Sequence, residues 1–229
     1  MFAKPEKFRI YVKRVFLEMY NIGVGSLPII AIISIFIGAV TTIQTAYQLV
    51  SGLVAKTVIG MIVSDSTILE LAPTIGSLVL AGKVGSHIAS EIGTMRVSEQ
   101  IDALEVMGIN ASGFLAMPKI IAGILTIPLL NFIAIGLGIY GGYLAGDLSG
   151  ILSGETFIAG ARSTFNPFNV FFSTIKSFTF AFLITSISAY QGFYTKGGAL
   201  EVGKASTDAV VYSAVSILFA DYILAELLL

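Results

Sequence analysis

The long uncharged stretches of this chain constrain it more than any other feature. No Asp, Glu, Lys or Arg interrupts residues 19–55, 120–146 or 177–195, and residues 209–229 carry only Asp221 and Glu226. A helix needs about 20 apolar residues to cross the hydrocarbon core of a bilayer, so each stretch is a candidate span. A fifth, at 68–90, is less clean: it holds Glu70, Lys83 and His87, with Glu91 at its end. Charged residues make up 12 % of the 229 residues, against about 25 % in soluble domains. So little charge cannot cover a water-soluble globule of this size. The chain reads as an all-α integral membrane protein.

Other classes fall away on the same reading. A net charge of -1 gives no reason to expect nucleic acid as a partner. There are no cysteines and one histidine, His87, so thiolate and multi-histidine metal sites are excluded and no metal site is expected. No Gly-x-Ser-x-Gly elbow or Ser/His/Asp set is visible, so no catalytic residue is assigned. The stretch from Gly198 to Ala205 is a near miss to a phosphate-binding P-loop. Ala205 follows Lys204 where a magnesium-binding Ser or Thr is needed, and no core strand precedes it. The chain itself is expected to bind no cofactor.

Five spans put the termini on opposite sides, and basic residues choose the sides. Lys4, Lys7, Arg9, Lys13, Arg14, Lys83, Arg96, Lys119, Lys196 and Lys204 fall on one side, which makes the N-terminus cytoplasmic and the C-terminus external. Residues 5–22 predict an interfacial amphipathic helix, with Phe8, Tyr11, Val12, Val15, Met19 and Ile22 on one stripe and Lys7, Lys13 and Arg14 off it. The alternative is a cytoplasmic extension of the first span. Spans are expected at about 27–50, 68–90, 120–146, 170–190 and 208–228 in a single membrane domain. Pro28, Gly38 and the polar run 41–45 leave room for a kinked or re-entrant first span. Gly136, Gly138, Gly141, Gly142 and Gly146 crowd the third span, where small residues let helices approach closely, within the chain or across a dimer.

The loop after the second span predicts a short helix at 98–108. Ser98 is its N-cap candidate, Glu99 and Asp102 sit in its first turn, and Gly108 and Asn110 supply the stop. Ile101, Leu104 and Met107 form one apolar face; Glu99, Asp102 and Glu105 form the acidic face beside it. Such a helix cannot cross a membrane, so its apolar face needs a partner: the chain's own membrane ends, or a groove in another protein.

The block ELAPTIGSLVLAGKVGSHIASEIGTMRVSEQIDALEVMG at 70–108 resembles the MlaE (YrbE) family of ABC-transporter permeases. YQGFYTKGGALEVGKASTDAVV at 190–211 and YNIGV at 20–24 are similar to it as well, and the resemblance covers about residues 15–225. It implies an interfacial N-terminal helix followed by five membrane helices, in a homodimer that moves phospholipid or a similar lipid at the bacterial inner membrane. A cytoplasmic ATPase, which holds the ATP and magnesium, would dock on the helix at 98–108, so Glu99, Ile101, Asp102, Leu104, Glu105 and Met107 become coupling residues. An MCE-domain protein would sit on the outer, periplasmic side, where the C-terminus lies. The family's lipid cavity lies between two subunits, and on that analogy Gln48, Leu49 and Leu71 join Glu70 as lipid-pathway candidates.

Glu70 also stands out by itself. A carboxylate inside a span costs roughly 2.5–3.5 kcal/mol on insertion scales, so it faces protein, water or a ligand. Lys83, His87 and Glu91 share one helix face and predict a local ionic ladder. Lys176, alone in the first half of its span, is expected to snorkel to an interface, with Asp221 a possible partner. Two rival functions stay open at this point. One is an ion-coupled secondary transporter of a hydrophobic substrate. The other is a non-transporting anchor for an MCE protein.

Overall fold

A computed structural model describes residues 8–49 and 55–228. Seven helices follow one another among these residues: α1 (Phe8–Gln48), α2 (Thr57–Val97), α3 (Gln100–Val106), α4 (Ala111–Leu148), α5 (Gly154–Ser163), α6 (Pro167–Phe193) and α7 (Ala199–Leu228). No strand occurs among the described residues. Helices α1, α2, α4, α6 and α7 are each long and apolar enough to cross a membrane, which makes the chain a multi-pass, all-α membrane protein.

The helices outrun the apolar stretches that predict them. Helix α1 has 41 residues, about 60 Å at 1.5 Å per residue. The amphipathic segment and the first span are thus one helix, and neither Pro28 nor the polar run 41–45 ends it. The expected positions 5–7 and 50 lie outside the described residues. Hydropathy marks the hydrocarbon-facing part of a helix, whereas its ends are set by capping and by polar packing.

Two compact units divide the chain. The first comprises residues up to Ser26, Ser77–Pro128 and Phe178–Leu229; the second comprises Leu27–Gly76 and Leu129–Ser177. Small residues make the close crossings in both. In the second unit, Gly38 of α1 lies against the backbone of Gly138 in α4, so tightly that a Cβ at 38 would overlap that backbone. Gly141 meets Ile35 in the same way, and Gly142 lies against Thr42, Val63 and Phe157. The glycines of α4 at 138, 141 and 142 therefore serve packing within the chain, while Gly136 has open space beside it. In the first unit, Gly192 of α6 lies against Ala89 of α2, and Gly123 of α4 lies against Thr185 of α6.

Helix α5 falls between the spans expected at 120–146 and 170–190, where the sequence reading assigns no helix. Its signals are ordinary ones: Ser153 accepts a hydrogen bond from the Thr156 N–H as N-cap, Glu155 sits in the first turn and Arg162 in the last. It packs on the start of α2 through glycines, since Gly60 and Gly160 each lie against backbone of the facing helix. Ile59, Val63, Leu152 and Phe157 form the buried cluster there, and Leu49 packs against it.

Candidate functional site

Helix α2 departs from regular winding twice. Residues Thr67–Ile75 and Ala81–Gly85 are π-helical, a rare winding that is frequent at functional sites. The first segment contains Glu70 and Pro73. Proline has no N–H, so Pro73 gives no hydrogen bond to the turn before it, where the Leu69 carbonyl lies. Lys176 of α6 donates to that same carbonyl at 3.1 Å and to Glu70 Oε1 at 2.6 Å. Its ammonium also lies 4.8 Å from the centroid of the Phe172 ring. The second carboxylate oxygen of Glu70 accepts a hydrogen bond from Thr74 Oγ1 at 3.1 Å.

Lys176 therefore does not snorkel. It is completely buried, and its ion-pair partner is Glu70. A buried ammonium needs a carboxylate and further acceptors to offset its lost hydration, and this one has both. The Glu70 side chain is 47 % exposed, so one face of the carboxylate is held by lysine while the other stays reachable. Sequence spacing could not join residues 106 positions apart. The signal available was complementary: a lysine in the first half of one apolar span and a glutamate within another.

The other pathway candidates lie in the same unit. Leu71 lines a narrow crevice with Ser34, Gly38, Thr67 and Gly138. Gln48 is exposed at the end of α1, whereas Leu49 is half-buried against the α2–α5 cluster.

The first unit holds a second buried lysine. Lys119 of α4 pairs with Glu18 of α1 and Glu91 of α2, each at 2.6 Å. The sequence reading treats Lys119 only as a loop cation and misses this cluster. The expected ladder along α2 survives in part. His87 Nδ1 lies 3.8 Å from Glu91, but Lys83 turns away and donates to the Gly25 carbonyl.

Helix α3 is shorter than expected, Gln100–Val106, and its start is different. Ser98 is not its N-cap, because the Ser98 hydroxyl donates back to the Thr94 carbonyl at 2.7 Å. Glu99 takes that place with φ 59°, in the left-handed region that side chains rarely adopt. The stop at Gly108 is as expected. With φ +77° it donates to the Glu105 carbonyl at 2.9 Å, while Ile109 donates to that of Leu104 at 3.0 Å, a Schellman closure. Asn110 belongs to the next helix: its Oδ1 accepts from the Gly113 N–H at 3.2 Å and so caps the start of α4.

The apolar face of α3 is divided. Ile101 is completely buried within the chain, Leu104 is half-buried, and Met107 is 66 % exposed. Val106, which the periodicity did not single out, is 89 % exposed. On the acidic face Asp102 pairs with Arg96 at 2.7 Å, and Glu99 and Glu105 are exposed. The Gly198–Ala205 stretch is helical from Ala199 onward, and the Gly198 N–H donates to Glu201 Oε2 at 3.2 Å.

Five helices able to cross a membrane, with a short, partly exposed helix between the second and the third, are compatible with a transporter's membrane subunit. The model of the family described as "Permease MlaE" matches residues 15–227, so the chain belongs to the MlaE permease family and is a permease subunit of an ABC transporter. It is 38 % identical over 218 residues to a "Probable ABC transporter permease protein" of Rickettsia bellii, covering 95 % of this chain and 84 % of that one. It is 31 % identical to the "Intermembrane phospholipid transport system permease protein MlaE" of Haemophilus influenzae, covering 100 % and 87 %. The chloroplastic protein TRIGALACTOSYLDIACYLGLYCEROL 1 of Arabidopsis thaliana is 34 % identical, over 96 % of this chain and 63 % of that protein.

Proposed function

We propose that this permease works as a homodimer in the bacterial inner membrane and moves phospholipid under the control of a cytoplasmic ATPase that docks on α3. The observation that carries the reading is the exposed apolar end of that helix. Val106 and Met107 stand in the open on an element too short to reach the membrane core. Two adjacent apolar side chains this exposed on a short helix support the reading of an interaction surface there. In this reading Ile101 anchors the helix, Leu104 and Met107 enter the ATPase groove together with Val106, and Glu99, Asp102 and Glu105 meet basic residues at its rim. ATP and magnesium belong to the partner. Movement of α3 biases the dimer between lipid-bound and lipid-released states.

Glu70, Leu71, Gln48 and Leu49 border the lipid pathway. The half-exposed carboxylate of Glu70, fixed by Lys176, gives a lipid headgroup a positioned polar contact. The basic residues put the N-terminus in the cytoplasm and the C-terminus outside, where an MCE-domain protein receives the lipid.

Purification from native membranes in mild detergent, followed by mass spectrometry of co-purifying proteins and lipids, tests this. An ATPase, an MCE protein and bound phospholipid are expected. A Leu104→Glu/Met107→Glu double variant is expected to lose the ATPase while keeping its fold. A chain that purifies alone, or a double variant that still assembles and transports, would sink the reading.

A further inference from the structure

Within the first unit, the start of α4 is gripped by α1. The Arg14 guanidinium lies 3.8 Å from the centroid of the Phe114 ring, and Arg14 Nη1 donates to the Phe114 carbonyl at 3.5 Å. The Tyr11 ring meets the same ring edge-on, with centroids 6.2 Å apart and planes at 74°. A carboxylate, Glu18, stands one turn from Arg14 on α1, yet it pairs with Lys119 instead. Among the described residues Arg14 forms no ion pair, so its charge is directed at the ring face.

On its other side Phe114 leads to α3. Only Ile109 and Asn110 separate Gly108, which closes α3, from Ala111, the first residue of α4. Both linker residues are held. The Ile109 N–H donates to the Leu104 carbonyl at 3.0 Å. The Asn110 side chain accepts from the Gly113 N–H at 3.2 Å, and its main-chain carbonyl accepts from the Phe114 N–H at 2.9 Å. Ile101 is completely buried, so α3 does not swing freely on this linker. A displacement of α3 is therefore delivered to the first turn of α4, where Phe114 meets α1. Helix α1 continues unbroken to Gln48, and its Ser34 and Gly38 line the crevice beside Leu71.

The type of contact suits a moving joint. A hydrogen bond weakens steeply with angle. A cation is attracted to a whole ring face, so Arg14 can follow Phe114 through a rotation.

We propose that Arg14 and Phe114 are positioning residues of the transport cycle, which make the first turns of α1 follow α3 when the ATPase moves it. This role rests on the docking of an ATPase on α3, and it supplies the route by which movement leaves that helix.

The chain has no cysteine, so Lys13→Cys, at an exposed position of α1, takes a single spin label. The labelled full-length permease is combined with its ATPase in liposomes. The accessibility of the label to a water-soluble relaxation reagent is then compared without nucleotide and with ATP. A shift on ATP binding is expected. Phe114→Ala and Arg14→Gln are each expected to shrink it about fivefold or more, while the ATPase still binds and hydrolyses ATP. Phe114→Tyr keeps the ring and is expected to keep the shift, which a purely structural role for bulk at 114 does not require. Should Phe114→Ala fail to fold, Arg14→Gln decides, since that side chain is only half-buried. A full shift in Phe114→Ala or Arg14→Gln overturns the proposal, and so does a loss of the shift in Phe114→Tyr. An ATPase that binds and turns over while the label stays silent in the otherwise wild-type chain sinks this link alone. An ATPase that never binds sinks the docking on α3, and the link with it.

Discussion

Among the described residues each of the two units buries one lysine, and the two lysines are held in opposite ways. In the first unit Lys119 sits between two carboxylates from two other helices, so a single cation ties α1, α2 and α4 together. In the second unit Lys176 donates to the Glu70 carboxylate and to the Leu69 carbonyl, and that carboxylate is half in the open. The first arrangement is a clasp: Lys119 and Glu18 are nearly buried on one another, and the more exposed Glu91 is shared between Lys119 and His87. The second is a mount: the lysine is sunk in protein, and the glutamate it holds remains available. A buried ion pair says little about net stability, but the direction of its exposure says which partner is structural.

The sharpest way to break this comparison is Lys119→Met. It leaves the nearly buried Glu18 without its cation, while the more exposed Glu91 can turn to solvent, and is expected to cost about 3 kcal/mol. Thermal unfolding of the purified protein in detergent would read it, and a variant as stable as wild type would refute the clasp. Glu70→Ala comes next. It takes the carboxylate away from a fully buried ammonium whose other contacts include the Leu69 carbonyl and the Phe172 ring, an expected loss of about 2–3 kcal/mol. Lys176→Met should cost less, about 1 kcal/mol, because the freed carboxylate can turn to solvent. Equal losses for Glu70→Ala and Lys176→Met would end the asymmetry on which the mount rests. The smallest effect is expected for Asp102→Asn, which removes the exposed pair with Arg96 and should change stability by less than about 0.5 kcal/mol. A larger loss would mean that the α3 region shares the tight charge pairing seen at Lys119.

How far the sequence reading reached follows from the range of each signal. The five spans were legible because apolar length is a local property. The closure of α3 at Gly108 was legible because a left-handed stop favours glycine. The start of α3 was not, because Glu99 occupies a conformation that propensity argues against. The fate of Ile101 depended on the rest of the chain: periodicity puts it on the apolar face but does not say what covers that face. Glu70 was visible as a lone intramembrane carboxylate, while its lysine was misread, since snorkelling and burial look alike until the fold brings the two together. Helix α5 carried Ser153 and Arg162 as end signals, yet its ten residues are too few for periodicity to stand out.

The Glu70–Lys176 pair also has a history in time. Glu70 is made 106 residues before its counterion. At roughly 5–20 residues per second of synthesis, the carboxylate waits about 5–20 s for Lys176 to emerge. The same delay separates Glu18 from Lys119, 101 residues later. A nascent chain of this protein thus holds unmatched acidic groups in spans already complete. Its early helices have to be kept at a watery or proteinaceous site by the insertion machinery until the later ones arrive.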